Sequence, residues 1–403
     1  MIVSHSQYYT SDEIASLLVK CISKENVDTI LDLGAGNGAL TKAAKKKWKA
    51  ANFIVTDIDE SNYNYLLEQG FNSWNVDCNS PDLDYRIGVG YSSIDAGVCN
   101  PPYETIENNE FVKDLLLEAK LQMNRKDCYS TSDLVFLAYN LLFLKPHGVL
   151  GIIIPYSIMT GRNFSMLRQS LLEHYYVERV IELPEKSFSY TEAKTGILII
   201  RKEKSEGRKT KLNTVTDGFK LSDSLYVSPS KLALRLDYSY HLWRKGQNGK
   251  NVKHNNDITI VRGRHTHDEL KKKGLPYFHS TSYNRTDIDW HFKYDNSEKG
   301  MVSQGCFLIV RVGKRCVGRV KYLEEGHIQI SDCIYGLTVP QEYINDFKHF
   351  FQSEEYSKFV KIASRGVCAF YLCKGDLESM VLKKLDEFRL RDGKTKKHNM
   401  KSR

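Results

Sequence analysis

The sequence predicts an α/β domain, a parallel sheet covered by helices, followed by a second domain of β-rich α+β character. Three observations carry this expectation. Up to residue 202, short apolar runs alternate with helical patterns, and the first run ends in a glycine-rich turn. Beyond Lys202 the alternation stops, and the segments become short, rich in turns and dotted with aromatics.

Taken in order, TILDLG (29–34), FIVTD (53–57), SIDAGVC (93–99), GVLGIIIP (148–155), VERVIEL (177–183) and TGILIIRK (195–202) read as strands, several apolar enough to be buried on both faces. Between them lie helical patterns. Ser132 is placed to cap a helix whose Leu134, Val135, Leu137, Ala138, Leu141 and Leu142 form one broad stripe, and KPHG at 145–148 is expected to end it. Such alternation brings ligands to the carboxyl ends of the strands. KEKSEGRKTK (202–211) is charged and reads as a linker. The expected division is a first domain over 1–204, a linker over 205–215, a second domain over 216–388, and a disordered tail over 389–403 with seven Lys or Arg and one Asp. Within the second domain CFLIVRVG (306–313), CVGRVKYL (316–323) and IQISDCIYGLTV (328–339) read as strands, and 341–351 and 354–363 as helices.

Composition narrows the function classes. The chain has 403 residues and a net charge of +9, unevenly spread: residues 1–205 hold 21 Lys and Arg against 26 Asp and Glu, and residues 206–403 hold 37 against 23. A mildly acidic half joined to a strongly basic one fits a catalytic domain beside a domain that neutralises phosphates; simple solubilisation of the second half is the competing reading. No apolar run approaches the ~20 residues a bilayer span needs, and the N-terminus lacks a signal-peptide pattern, so a soluble cytoplasmic protein is expected. Nine cysteines without a CxxC pair predict reduced, mostly buried thiols and no metal site.

Chemistry is concentrated at the predicted strand ends. LDLGAGNGAL (31–40) puts Asp32, Gly34, Gly36 and Gly38 at a strand-to-helix turn, where missing side chains let a ligand approach the backbone. By itself this spacing also suits a nicotinamide enzyme. Asp57, after the next strand, can accept two ribose hydroxyls, and Ile58 beside it offers an apolar face to a base. Asp77, in NVDCN, can bind an adenine amino group. VCNPPYE (98–104) follows the apolar run at 93–99, and its two prolines fix an extended edge that donates no hydrogen bonds.

With these partners, NPPY resembles motif IV of the S-adenosylmethionine-dependent amino-group methyltransferases, and the order of motifs resembles their gamma class. QYYTSDEIA (7–15) is similar to motif X, with Thr10 near the methionine carboxylate; DLGAGNG resembles motif I, TDID motif II, VDC motif III, and EKSFSYTEAKTGILIIRK (185–202) motif VIII. The resemblance covers residues 7 to about 202. It departs at Ser11, where many relatives have Pro, and at Cys78, where Phe is commoner.

The resemblance implies a Rossmann-like methyltransferase fold, S-adenosylmethionine as cofactor with no metal, and an adenine N6 target in double-stranded DNA. It further implies that the Asn100 side chain and the Pro101 carbonyl, with Pro102 keeping the edge rigid, accept both protons of the exocyclic amine, and that Tyr103 and Phe188 sandwich a flipped base. In the second half RLDYSYHLW (235–243), ITIVRGR (258–264), VSQGCFLIVRVGKRCVGRV (302–320) and SRGVCAFYLCKGDLESM (364–380) resemble target-recognition domains of single-chain gamma methyltransferases and of type I specificity subunits. Arg262, Arg264, Arg311, Lys314 and Arg315 are the candidate DNA contacts. A monomer is expected, with a separately encoded restriction endonuclease as a possible partner and no membrane. EAK at 192–194 lacks the upstream acid of a nuclease. The alternative reading is a methyltransferase acting on a protein glutamine or on structured RNA through the same loop.

Overall fold

The computed structural model describes residues 9–123, 129–185, 187–188, 194–246, 257–283, 285, 288–294, 300–366 and 369–401, with backbone alone for 394–401. Residues 7–8 of the motif at the N-terminus, 186 and 189–193 of the stretch 185–202, and 367–368 of the stretch 364–380 lie outside the described residues. The chain forms two compact units, Met1–Leu242 and Trp243–Arg403.

The first unit opens with α1 (Asp12–Cys21), β1 (Thr29–Leu33), α2 (Ala39–Lys47), β2 (Asn52–Asp57), α3 (Glu60–Glu68), β3 (Asn72–Asn75), α4 (Leu83–Ile87) and β4 (Ile94–Cys99). A small hairpin of β5 (Thr105–Glu107) and β6 (Tyr129–Thr131) brackets α5 (Glu110–Glu118), and α6 (Ser132–Phe143) leads into β7 (Leu144–Pro155). After α7 (Tyr156–Thr160) and α8 (Ser165–His174) come β8 (Tyr176–Glu182), β9 (Thr195–Arg201), β10 (Thr210–Thr216), β11 (Lys220–Leu221) and β12 (Leu225–Val227), then α9 (Pro229–Leu232) and α10 (Tyr238–Gly246). The sheet order is β11-β10-β8-β9-β7-β4-β1-β2-β3, with β12 on β10. Neighbours from β7 to β3 run parallel; β9 is antiparallel to both β7 and β8.

This topology places the site. From β1 the chain winds outward through β2 to β3, then returns to lay β4 on the other side of β1. The carboxyl ends of β1 and β4 therefore flank the point where the winding reverses, where open α/β sheets open a crevice. The loops after β1, β2, β3 and β4 all rise from one edge because those strands are parallel. Helix α1 is started by Ser11, whose hydroxyl accepts from the Ile14 amide at 3.4 Å, with Asp12 and Glu13 favourable in its first turn. It buries Ile14, Ala15 and Leu18 completely.

The structure moves several expected boundaries. Thr131, not Ser132, stands at the N-cap of α6, and KPHG belongs to β7 rather than to a helix stop. The expected linker carries β10, paired in parallel with β8 from Lys211↔Arg179 to Thr214↔Glu182; its Leu212 and Val215 are buried, so the charged segment before it is a connection within the first unit, which extends to Leu242. RLDYS also belongs to the first unit. Arg235 and Asp237 are fully buried, paired at 2.7 Å, and the Tyr156 hydroxyl donates to Asp237 at 2.9 Å, while the Ser239 amide donates to Glu182. Those bonds tie 235–239 to the ends of β7 and β8.

The second unit contains β13 (Thr259–Arg262), α11 (His267–Lys273), β14 (Tyr277–Phe278), β15 (Met301–Ser303), β16 (Cys306–Val310), β17 (Val312–Gly313), β18 (Val320–Tyr322), β19 (His327–Ile330) and β20 (Ile334–Thr338). Helices α12 (Ile344–Gln352) and α13 (Glu354–Ala363), strand β21 (Phe370–Tyr371) and helix α14 (Lys374–Lys401) complete it. A four-stranded antiparallel sheet, β13-β20-β16-β18, packs its Phe307, Ile309 and Leu337 with Phe347, Phe359 and Val381 of the helices; a three-stranded sheet, β14-β19-β15, adds a second core. Most of the expected tail is helical, not disordered: α14 runs from the core residues Leu377, Val381 and Leu385 to Lys401. Among the described residues no helix is long and apolar enough to cross a membrane, and no group of three or more His, Cys, Asp or Glu could hold a metal ion.

Candidate active site

The glycine turn after β1 has the shape that only glycine adopts without strain. Gly34, Gly36 and Gly38 sit at φ of +66°, +55° and +75°. Two of their neighbours on β2 pin the loop: the Gly34 amide donates to Thr56 Oγ1 at 3.1 Å, and the Gly36 amide donates to Asp57 Oδ2 at 2.7 Å. Asp57 Oδ1 accepts from the Asp59 amide at 2.9 Å and from Asn62 Nδ2 at 3.3 Å. Burial raises the Asp57 carboxyl, opposed by the Asp59 and Gly36 amides.

A cavity opens where these loops meet. Thr10, Asp32, Gly34, Gly36, Asp57, Ile58, Asp77, Cys78, Asn100, Pro101 and Pro102 all line it. Asp32 accepts from Thr41 Oγ1 through one oxygen at 2.5 Å; its other oxygen is buried without a hydrogen-bond partner, and burial pushes the carboxyl up to about 7. Asp77 accepts from the Asn79 amide at 2.8 Å. Cys78 lies 3.1 Å from Thr56 Oγ1, and burial pushes its thiol up to about 12, so it remains protonated in the wall of the cavity. Ile58 is 49% exposed, which leaves its side chain open as an apolar face.

At the end of β4 the Asn100 amide is held from two sides. Its Nδ2 donates to Thr10 Oγ1 at 3.0 Å, and the Tyr103 hydroxyl donates to its Oδ1 at 3.3 Å. The loop continues into β5, and the Ser132 amide at the start of α6 donates to the Glu104 carbonyl at 2.9 Å. From α6, Phe136 reaches the cavity wall; a Cβ on Gly34 would meet its ring at 3.0 Å.

Gly38, Tyr103 and Phe188 do not line the cavity. Gly38 faces Leu66 of α3, and the Tyr103 hydroxyl bonds to Asn100 Oδ1. Phe188 is 4% exposed and packs in the core with Ile181, Leu183, Ile197 and Val215. The expectation of a stacking face there meets a side chain already covered by apolar neighbours. Tyr9, Asn62, Glu104 and Phe136 line the cavity without having been singled out from sequence. Tyr9 and Glu104 adjoin residues that were; Asn62 and Phe136 lie on helices whose facing direction a local pattern does not give.

In the second unit the basic candidates separate. Arg311 Nε donates to the Asp332 carbonyl at 2.9 Å, and Arg262 Nε donates to the same carbonyl at 3.3 Å with its other end 3.7 Å from the Asp332 carboxylate. Those two guanidinium groups brace the turn between β19 and β20. Arg264, Lys314 and Arg315 are exposed, the last two on a turn after β17. Residues 243–403 hold 31 Lys and Arg against 19 Asp and Glu, so the charge asymmetry survives the shift in boundary.

A family profile described as N-6 DNA Methylase matches residues 48–220. Over that span the chain is similar to this family. The match takes in Asp57, Asp77, NPPY and β10, and ends beyond the boundary expected from sequence. The chain is 24% identical over 228 residues to the type I restriction enzyme MpnII methylase subunit of Mycoplasma pneumoniae, covering 50% of this chain and 41% of that protein. It is 29% identical over 136 residues to a tRNA1(Val) (adenine(37)-N6)-methyltransferase of Flavobacterium psychrophilum, covering 32% and 54%. The chain thus spans about half the length of the curated relatives it matches. Among solved structures, the type IIG restriction endonuclease BpuSI superposes with a TM-score of 0.50 at 12% identity, over 93% of this chain and 60% of that one, a likeness of fold that extends through both units.

Proposed function

We propose that the chain is an S-adenosylmethionine-dependent methyltransferase that modifies the N6 amino group of adenine in double-stranded DNA, at a specific site and as one component of a restriction-modification system. The observation that carries this reading is the NPPY edge at the end of β4, opening onto a cavity whose other wall is a glycine turn.

The residues present fit the cofactor. The turn brings bare backbone to the cavity wall at Gly34 and Gly36, Asp57 and Ile58 offer a carboxylate and an apolar face for ribose and adenine, and Asp32, with one buried oxygen left without a hydrogen-bond partner, lines the same cavity. Asp77 completes the set that would hold it, with Thr10 and Cys78 as part of the wall. When bound, S-adenosylmethionine supplies a methyl group activated by its sulfonium. The protein supplies the edge. An aromatic amine is a poor nucleophile because its lone pair is delocalised into the ring; Asn100 Oδ1 and the Pro101 carbonyl accept hydrogen bonds from its two N–H groups and draw the nitrogen toward a tetrahedral shape. Pro101 and Pro102 keep that edge fixed and free of competing donors. Tyr103 provides a face for the extruded base. The second unit, with its excess of Lys and Arg, neutralises phosphates and carries the choice of sequence.

Expression in a host without DNA methylation, followed by digestion of its DNA and RNA and mass spectrometry of the nucleosides, tests the reading. N6-methyladenine in DNA at one sequence context is the expected result. Its appearance in RNA alone, or methylation of protein alone, would replace DNA as the substrate.

A further inference from the structure

Residues 9 and 10 form a strap between the two loops of the site. The Tyr9 ring lies 3.2 Å from where a Cβ on Gly36 would be, against the glycine turn, and Thr10 Oγ1 accepts from Asn100 Nδ2 at 3.0 Å, against the NPPY edge. The strap is anchored directly behind these contacts. Ser11 caps α1, and Leu18 of α1 packs so tightly onto β7 that a Cβ on Gly151 would lie 2.6 Å from it. Gly151 pairs with Val98, and the next residue, Ile152, pairs with Cys99, the neighbour of Asn100. Thr10 and Asn100 are therefore the ends of one rigid path, α1 to β7 to β4.

An Asn side chain has two amide orientations of similar shape, and only one turns its oxygen rather than its NH2 toward an incoming amine. We propose that Thr10 is a positioning residue: its hydroxyl holds the Nδ2 end of Asn100, so that Oδ1 faces the target amino group before the base arrives. The Tyr103 hydroxyl, bonded to Oδ1 at 3.3 Å, marks the side on which that acceptor lies. This rests on the reading of Asn100 as the acceptor of the amine protons, and it gives Thr10 a task distinct from holding the cofactor, whose cavity it also lines. Preorganisation of this kind raises the rate without changing affinity for the cofactor, because the cost of orienting the amide is met in the fold.

Thr10→Val keeps the shape and removes the hydroxyl; Thr10→Ser keeps the hydroxyl. In the full chain, single-turnover methylation of an adenine-containing duplex by Thr10→Val should slow by about tenfold or more, with S-adenosylmethionine affinity by calorimetry within about twofold of wild type, and Thr10→Ser should recover most of the rate. An unchanged rate, or a loss of cofactor affinity as large as the loss of rate, would overturn the assignment. A second readout does not need catalysis. The side-chain NH2 signals of Asn100 in a nitrogen-15 spectrum, identified by their disappearance in Asn100→Asp, should move and exchange faster with solvent in Thr10→Val and return toward wild type in Thr10→Ser. Unmoved signals would overturn it as well. A wild-type protein that methylates no adenine, together with shifted signals in Thr10→Val, would instead remove the reading of the reaction and leave the contact standing.

Discussion

The three glycines of the turn after β1 should fail in different ways when given a side chain. All three have positive φ, so each Ala substitution costs about 1 to 2 kcal/mol for left-handed backbone alone. Their surroundings differ. A Cβ on Gly38 would lie 2.7 Å from Leu66 Cδ2, and Leu66 is fully buried, so overpacking adds about 1 to 3 kcal/mol. A Cβ on Gly36 would lie 3.2 Å from the Tyr9 ring, which is 48% exposed and can swing aside, but into the space that the cofactor is proposed to use. Gly38→Ala should therefore destabilise the fold by about 2 to 5 kcal/mol, with cofactor affinity little changed in the folded fraction. Gly36→Ala should lose about 1 to 2 kcal/mol of stability. Its affinity for S-adenosylmethionine should fall by about tenfold, equivalent to ~1.4 kcal/mol. Urea unfolding and calorimetry measure the two quantities separately. Equal stability losses in the two variants, or a Gly36→Ala protein that binds cofactor like wild type, would refute the division of roles within the turn.

Asp32 gives a pH prediction with a definite sign. Its carboxyl is raised from 3.8 to about 7 by burial, so the folded state holds a proton that the unfolded state has released; the stability it contributes is complete below pH 3.8 and is lost as pH rises to about 7. The melting temperature of wild type relative to Asp32→Asn should fall across that window and level off above it, and a constant offset would show that the Asp32 carboxyl keeps an ordinary pKa in the fold. Asp57→Ala should lower both stability and cofactor affinity, because it removes the acceptor of the Gly36 and Asp59 amides as well as the proposed ribose contact, at about 1 to 3 kcal/mol for each buried donor left unpaired; unchanged affinity in calorimetry would move the ribose contact elsewhere. Phe188→Ala should cost about 3 to 5 kcal/mol in urea unfolding as a core truncation, with equal loss of methylation on paired and mismatched target adenine. A variant of normal stability that acts better on the mismatched duplex would return the ring to the flipped base.

What the sequence made legible, and what it hid, follow from the range over which each feature is specified. The glycine turn, Asp57, Asp77 and NPPY were visible because each directly follows a short apolar run, and parallel pairing of β1, β2, β3 and β4 then obliges the ends of those runs to share one edge. Their meeting in one cavity is a consequence of chain direction, which local patterns do report. The domain boundary was hidden for the opposite reason. KEKSEGRKTK is as polar as a linker, but β10 begins within it at Thr210, and its membership of the sheet depends on pairing with β8, some thirty residues earlier. Arg235 and Asp237 mislead in the same way: RLDYS reads with the second domain, whereas its two charges are buried in the first unit, paired at 2.7 Å, and Tyr156, the first residue of α7, completes the group. Removal of either charge would leave the other buried and unpaired. The pair holds the last segment of the first unit onto the ends of β7 and β8. Sequence therefore brings together residues that stand where short apolar runs end, and does not show contacts made with distant partners: β10 with β8, the buried ion pair, Phe188 with its apolar cluster, and the Thr10 hydroxyl with Asn100, ninety positions along the chain.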